Sequence, residues 1–220
     1  MQSLLNRFEN IIIFDTETTG IDHKRDEIIE LAALRVSYGE VVEEFDYLIK
    51  LSPGKRLSAF ISDLTGITED QLEAEGVSKE TAACRMEKML SHPNTLVVAY
   101  NAQFDLCFLY YYLARYGNAG ILKNIKMLDA LTVYKDRRPY PHKLCNAIEA
   151  YGLSGENSHR AIDDARATLE LMYAMGKEYD DFDRYINLFG YNPKFGVSGP
   201  KISSVCYQPQ PYDSYKKIYE

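Results

Sequence analysis

The chain has 220 residues, 46% of them hydrophobic, and a net charge of −7. That is enough apolar material for one well-buried core, and the 26% charged fraction is that of a folded rather than a disordered chain. The acidic balance argues against extensive wrapping of duplex DNA, which needs a basic footprint, and leaves room for a small pocket that takes one strand end. No stretch approaches the roughly 18 apolar residues of a membrane helix, and Arg7 and Glu9 interrupt "MQSLLNRFEN" too early for a signal peptide. Cys84, Cys107, Cys145 and Cys206 show no C-x-x-C spacing. Neither a zinc cluster nor a disulfide scaffold is expected, and the expected setting is reduced and cytoplasmic.

In chain order, "IIIFD" at 11–15 predicts a strand apolar on both faces, hence central in a sheet. "EIIELAALRVS" and "VVEEFDYLIK" flank Gly39 and read as an antiparallel hairpin. Thr68 with Gln71 three residues on forms a capping-box pattern. Ser78 is placed to cap the next helix, which must end near His92-Pro93. "TLVVAY" is a short strand, and "FDLCFLYYYLARYG" a helix closed by Gly117. "KMLDALTVY" fits a strand or a helix start. "HKLCNAIEAYG" and "AIDDARATLELMYAMG" are predicted helices, each stopping at a glycine, the second with Ile162, Ala165, Leu169 and Met172 as its buried stripe.

The succession gives an α/β fold: one mixed sheet, an antiparallel hairpin followed by parallel strands, flanked by helices. After residue 186 the chain becomes rich in tyrosine and proline and loses helical period. The expected division is a domain over 1–186 and an extended C-terminal arm over 187–220. The arm either lies across the domain, burying tyrosines, or binds a polymerase, another subunit or single-stranded nucleic acid.

Three acidic sites carry the chemistry. Asp15 and Glu17 lie two apart on a strand, so both leave the same face as Ile11 and Ile13. A carboxylate beside buried surface costs several kcal/mol unless compensated, and no Lys or Arg follows within five residues of Glu17. Asp105 sits in the first turn of an otherwise apolar helix, where the helix dipole favours an anion. His159 and Asp164 are five apart; on one helix they would point about 140° apart, so they converge only if His159 precedes the helix. Asn157 and Ser158 are candidate caps there. Four carboxylates in one place would repel unless divalent cations filled the gap. Hard oxygen donors with a single histidine suit Mg²⁺ or Mn²⁺ better than zinc.

The ordered motifs "FDTETTG", "NAQFD" and "HRAIDDA" resemble those of the DEDDh, or DnaQ-like, 3′–5′ exonucleases over roughly residues 8–177. "LTGIT" at 64–68 and "MLDAL" around Asp129 also sit where that family has similar stretches. The resemblance implies a ribonuclease H-like fold and two divalent cations held by Asp15, Glu17, Asp105 and Asp164. It implies His159 as the base that takes a proton from the attacking water. Thr18 would contact the terminal nucleotide, Leu64 and Phe104 would pack against the last bases, and Asn101 would fix the loop before Asp105. The substrate implied is a single-stranded nucleic-acid 3′ end, DNA ahead of RNA or short oligonucleotides. A polymerase in trans is the partner it suggests. Tyr100 departs from the histidine the family often has there.

Lys135, Arg137, Arg138, Lys143 and Arg160 are either phosphate contacts or a solvated basic loop. His142 is expected to be structural or exposed, and His23 to be loop surface. Two rival classes remain at this stage. A haloacid-dehalogenase-like phosphatase would need D-x-D rather than the D-x-E seen here, and an inactive binding module would not need all five catalytic positions.

Overall fold

The computed structural model describes residues 1–154, 158–212 and 217–219. Its centre is a five-stranded sheet. Strand β1 (Asn10–Thr18) pairs antiparallel with β2 (Ile28–Ser37), which pairs antiparallel with β3 (Glu40–Leu48). Tyr38 and Gly39 both have positive φ, the backbone of a tight two-residue hairpin turn. Three helices follow: α2 (Ala59–Thr65), α3 (Glu69–Glu75) and α4 (Lys79–Leu90). Thr68 and Gln71 make the reciprocal capping box of α3, and the Ser78 hydroxyl caps α4. Strand β4 (Thr95–Ala99) then lies parallel to β1 and leads into α5 (Ala102–Tyr116). "KMLDALTVY" is both of its alternatives in succession: β5 (Lys126–Asp129), parallel to β4, then α6 (Ala130–Lys135). Helices α7 (Leu144–Ala150) and α8 (Ala161–Glu178) complete the series, and the strand order is β3-β2-β1-β4-β5.

The double-sided apolar character of β1 has its counterpart in two cores. Ile11 and Ile13 pack on one face against residues of α7 and α8; Ile12 and Phe14 pack on the other against α4 and α5. Burying one such side chain contributes about 1.5–3 kcal/mol, which explains why β1 is central.

One expectation needs correction. Helix α8 does not stop at Gly176 but runs to Glu178. Gly176 is there for room: a Cβ would collide with Met1. Residues Gln2–Arg7 form a short helix (α1) that seats Leu4 in the core.

Beyond residue 186, β6 (Leu188–Tyr191) and β7 (Cys206–Pro209) make a small parallel sheet. Phe189 and Val205 join the α5 side of the core. The Gln103 side chain donates to Ser198 O (2.8 Å) and Pro200 O (2.9 Å) and accepts from the Tyr207 hydroxyl (2.6 Å).

Candidate active site at the overhang of the central strand

Strand β1 is longer than its parallel neighbour. Its pairing with β4 covers only Asn10–Ile13 against Thr95–Val98, whereas its pairing with β2 continues to Thr18. Asp15, Thr16 and Glu17 therefore overhang the carboxyl end of β4, where α/β sheets open a crevice. The chain leaving β4 turns at Asn101, which has φ 67°, a left-handed conformation that asparagine tolerates better than most residues. That turn delivers Asp105, 3% exposed, to the overhang. Asp105 Oδ1 accepts from the Thr16 hydroxyl (2.8 Å) and the Thr16 N–H (3.2 Å). Helix α8 arrives from the opposite layer with Asp164 buried in its first turn.

His159 precedes α8, in a left-handed conformation with φ 55°. This satisfies the condition for convergence: ligand atoms of Glu17, His159 and Asp164 all lie within 4.8 Å of one another. The Ser158 hydroxyl donates to the carboxylate of Asp163 (2.7 Å), so it holds a neighbouring side chain rather than capping the backbone. Asn157, the other expected cap, lies outside the described residues. Burial pushes the Asp15 carboxyl well above its ordinary range, and the charges of Asp105, Asp164, Glu17 and Glu30 add to the effect. Burial, then Asp164 and Glu30, push Glu17 up to about 8. Asp105 is pushed up to about 7 by burial, against the opposing bonds from Thr16. Among the described residues, no Lys or Arg forms an ion pair with Asp15, Glu17 or Asp105.

Residues 12–172 match the exonuclease family model RNase_T. This chain is a DEDDh, DnaQ-like exonuclease. It is 34% identical over 167 residues to a PolC-type DNA polymerase III of Thermotoga petrophila and 35% identical over 194 residues to that of Latilactobacillus sakei. These alignments cover 74% and 84% of this chain but 12% of either polymerase, so the chain spans about an eighth of the relatives it matches. Exonuclease I of E. coli in complex with a dA16 oligonucleotide superposes with a TM-score of 0.70 at 22% identity, over 77% of this chain and 41% of that one. Its zinc-bound complex with single-stranded DNA gives 0.72 at 22%, over 81% and 42%. At that identity the likeness shows the fold alone.

The family depends on divalent metal, and the exonuclease site has a donor set that fits: crowded, buried carboxylate oxygens, one imidazole and no thiolate in the cluster. Each helix that brings an acid is also anchored by a buried acid from the sheet. Asp129, at the end of β5, accepts from the N–H groups of Asn101 and Ala102 (3.0 Å each) and from the Thr132 hydroxyl (2.6 Å). Glu30 of β2, fully buried, accepts from Arg160 Nε (2.8 Å) and Nη2 (2.5 Å) and from the Ala161 N–H (2.8 Å). Sequence reasoning passed over Glu30. Its signal was a single acid inside the apolar run "IIELAAL", in register opposite Glu17.

The expected substrate-side residues are distributed as follows. The Thr18 hydroxyl donates to Gly20 O (2.6 Å), so its proton is engaged within the loop. Phe104 is half-buried, with its ring 4.9 Å from that of Phe108. Leu64 is exposed on α2, and Phe60, one turn earlier and unforeseen, is 71% exposed on the same face. The Asn101 side chain makes no cap bond, and Asp129 holds that loop instead.

The basic cluster is mostly structural rather than free for phosphates or merely solvated. Arg137 donates to the carbonyls of Met175 and Tyr179 and to Asp181; Arg138 pairs with Glu178, and Arg160 with Glu30. His142 is buried, as its structural reading required. His23 lies in the loop after β1, as expected, but is half-buried, with its ring packed 5.0 Å from that of Tyr111 and edge-on to Phe108.

Proposed function

We propose that this exonuclease works from the 3′ end, hydrolysing the terminal phosphodiester of single-stranded DNA to release nucleoside 5′-monophosphates. The observation that carries the reading is the convergence of Glu17, His159 and Asp164 within 4.8 Å at the strand overhang that also holds Asp15 and Asp105. Asp15, Glu17, Asp105 and Asp164 hold two divalent cations, Mg²⁺ or Mn²⁺. Those ions supply Lewis-acid stabilisation of the charge that builds on the phosphoryl oxygens.

His159 accepts the proton of the attacking water at a ring nitrogen, for which the imidazole must be neutral. Its approach to Glu17 and Asp164 puts that nitrogen at the acid cluster where the phosphate must lie. Thr18 meets the terminal nucleotide through its backbone, since its hydroxyl proton is engaged by Gly20. Leu64 and Phe104 give apolar, sequence-tolerant contact to the last bases, and Asn101 borders the site at the start of α5. DNA is favoured over RNA by kinship with PolC-type polymerases, which also makes a polymerase the proposed partner. Among the described residues no helix is long and apolar enough to cross a membrane.

The test is turnover of matched DNA and RNA oligonucleotides labelled at either end, with Mg²⁺ or Mn²⁺. Stepwise shortening from the 3′ end, faster on DNA and absent in Asp15→Asn, is expected. Cleavage by Asp15→Asn at the wild-type rate refutes the assignment.

A further inference from the structure

Glu30 is an expensive residue to keep. It is a fully buried carboxylate beside Glu17, and its charge helps to push the Glu17 carboxyl upward. A buried acid that raises the energy of its neighbour must be compensated by what it binds. Each of its oxygens takes a bond from one short segment, and the Asp46 side chain of β3 lies within hydrogen-bonding reach beside it. Oε1 takes the fork of the Arg160 guanidinium, and Oε2 takes the N–H of Ala161, the first residue of α8. The residue immediately before that fork is His159, which holds a left-handed backbone conformation with no glycine to ease it. Helix α8 has no side-chain cap of its own at this end. Asp164 lies three residues beyond Ala161.

We propose that Glu30 is a positioning residue for catalysis: it pins the His159 loop and the first turn of α8 to the central sheet, holding His159 and Asp164 against Glu17. Glu30 acts through Arg160 and Ala161. The carboxylate is required because the three groups it takes from Arg160 and Ala161 are all donors. A glutamine would have to turn its NH₂ toward either the guanidinium or the Ala161 N–H, setting donor against donor. Both charge and planarity matter on the other side as well, since a lysine at 160 cannot reproduce the two-point contact. The inference rests on the reading of His159 as the base.

The test uses the full chain, a 5′-labelled single-stranded DNA oligonucleotide and Mg²⁺, with kcat, KM and Tm measured for each variant. Glu30→Gln and Arg160→Gln should each lower kcat about 100-fold, the scale expected for a catalytic group displaced by about 1 Å, with KM moving far less. The double variant should fall little below either single one, because both cut the same link. Arg166→Gln, a change on the same helix that removes an exposed pair with Glu44 of β3, should leave kcat unchanged.

A Glu30→Gln enzyme with wild-type kcat overturns the inference. So does a kcat that recovers in full once corrected for the folded fraction, or a double variant whose losses multiply. If Glu30→Gln does not fold, the half-exposed Arg160 decides alone, and wild-type kcat in Arg160→Gln overturns the proposal. The functional reading fails separately, by activity in Asp15→Asn or His159→Ala.

Discussion

Withdrawing divalent cations should make this fold lose stability as pH rises, the reverse of what paired carboxylates do. Glu17 is pushed from an ordinary 4.5 up to about 8 in the folded chain, by burial and by Asp164 and Glu30. Between those values the folded state holds a proton that the unfolded chain has released, so stability falls with rising pH across that window. Each pH unit in it is worth about 1.4 kcal/mol, which for Glu17 alone approaches about 4 kcal/mol at pH 8. Solvent reaching the half-buried Glu17 reduces this to about 2–3 kcal/mol. Asp105 and Asp15 act in the same direction.

About 2 kcal/mol of this falls between pH 5.5 and pH 8, and for a chain of this size each kcal/mol moves Tm by about 2–4 °C, so Tm in EDTA should drop by about 3–8 °C across that range. Saturating Mn²⁺ or Mg²⁺ favours the ionised acids and should flatten that slope, so the cation-induced gain in Tm grows with pH. Scanning fluorimetry at a series of pH values, with EDTA and with cation, measures it. Taking the difference between the two conditions cancels groups elsewhere, such as Asp46, which burial and Glu30 push up to about 6. A cation-induced gain that is the same at pH 5.5 and pH 8 would refute the picture of a crowded acid cup relieved by metal.

Asp15→Asn should abolish cleavage yet raise Tm in EDTA at pH 8, because it removes one of the mutually repelling acids; a lower Tm there would contradict the electrostatic account. His159→Ala should lower kcat by about 100- to 10,000-fold, the range for a lost general base, while keeping the cation-induced Tm gain. Phe104→Ala should weaken oligonucleotide binding by about 10-fold or more if a base stacks on it, read as KM or by anisotropy under Ca²⁺. Glu43 is held low, at about 2, mainly by Arg85 with Arg35 assisting. Its contribution is present above pH 4.5 and fades as pH falls toward 2, so the Tm deficit of Glu43→Gln should be full at pH 7 and shrink below pH 4.

What the sequence made legible was whatever depended on neighbours along the chain. The two-faced run of β1, the hairpin around Gly39 and the capping box at Thr68 are local patterns, and each became the expected element. The placement of His159 also followed from local arithmetic, since only a loop position let it meet Asp164. What escaped was supplied from a distance. Helix α8 is held at its start by Glu30 of β2 and at its end by Arg137, which donates to the carbonyls of Met175 and Tyr179. Rules for helix ends look a few residues either way and could not see partners so far along the chain. The same blindness turned Arg137 into a candidate phosphate contact, although its side chain is 3% exposed. Gly176 reads as a stop because a glycine that makes space for another segment looks the same in sequence as one that ends a helix.

The recognisable motifs end near residue 172, but the material supporting them does not. Phe189 and Val205 fill the underside of α5, and Gln103, next to Phe104, is latched by three groups from residues 198–207. An expression boundary drawn where homology fades would strip this lining and uncover apolar surface directly beneath the helix that carries Asp105. Anyone shortening the gene for crystallography or assay should therefore keep the tyrosine- and proline-rich stretch at least through Gln210.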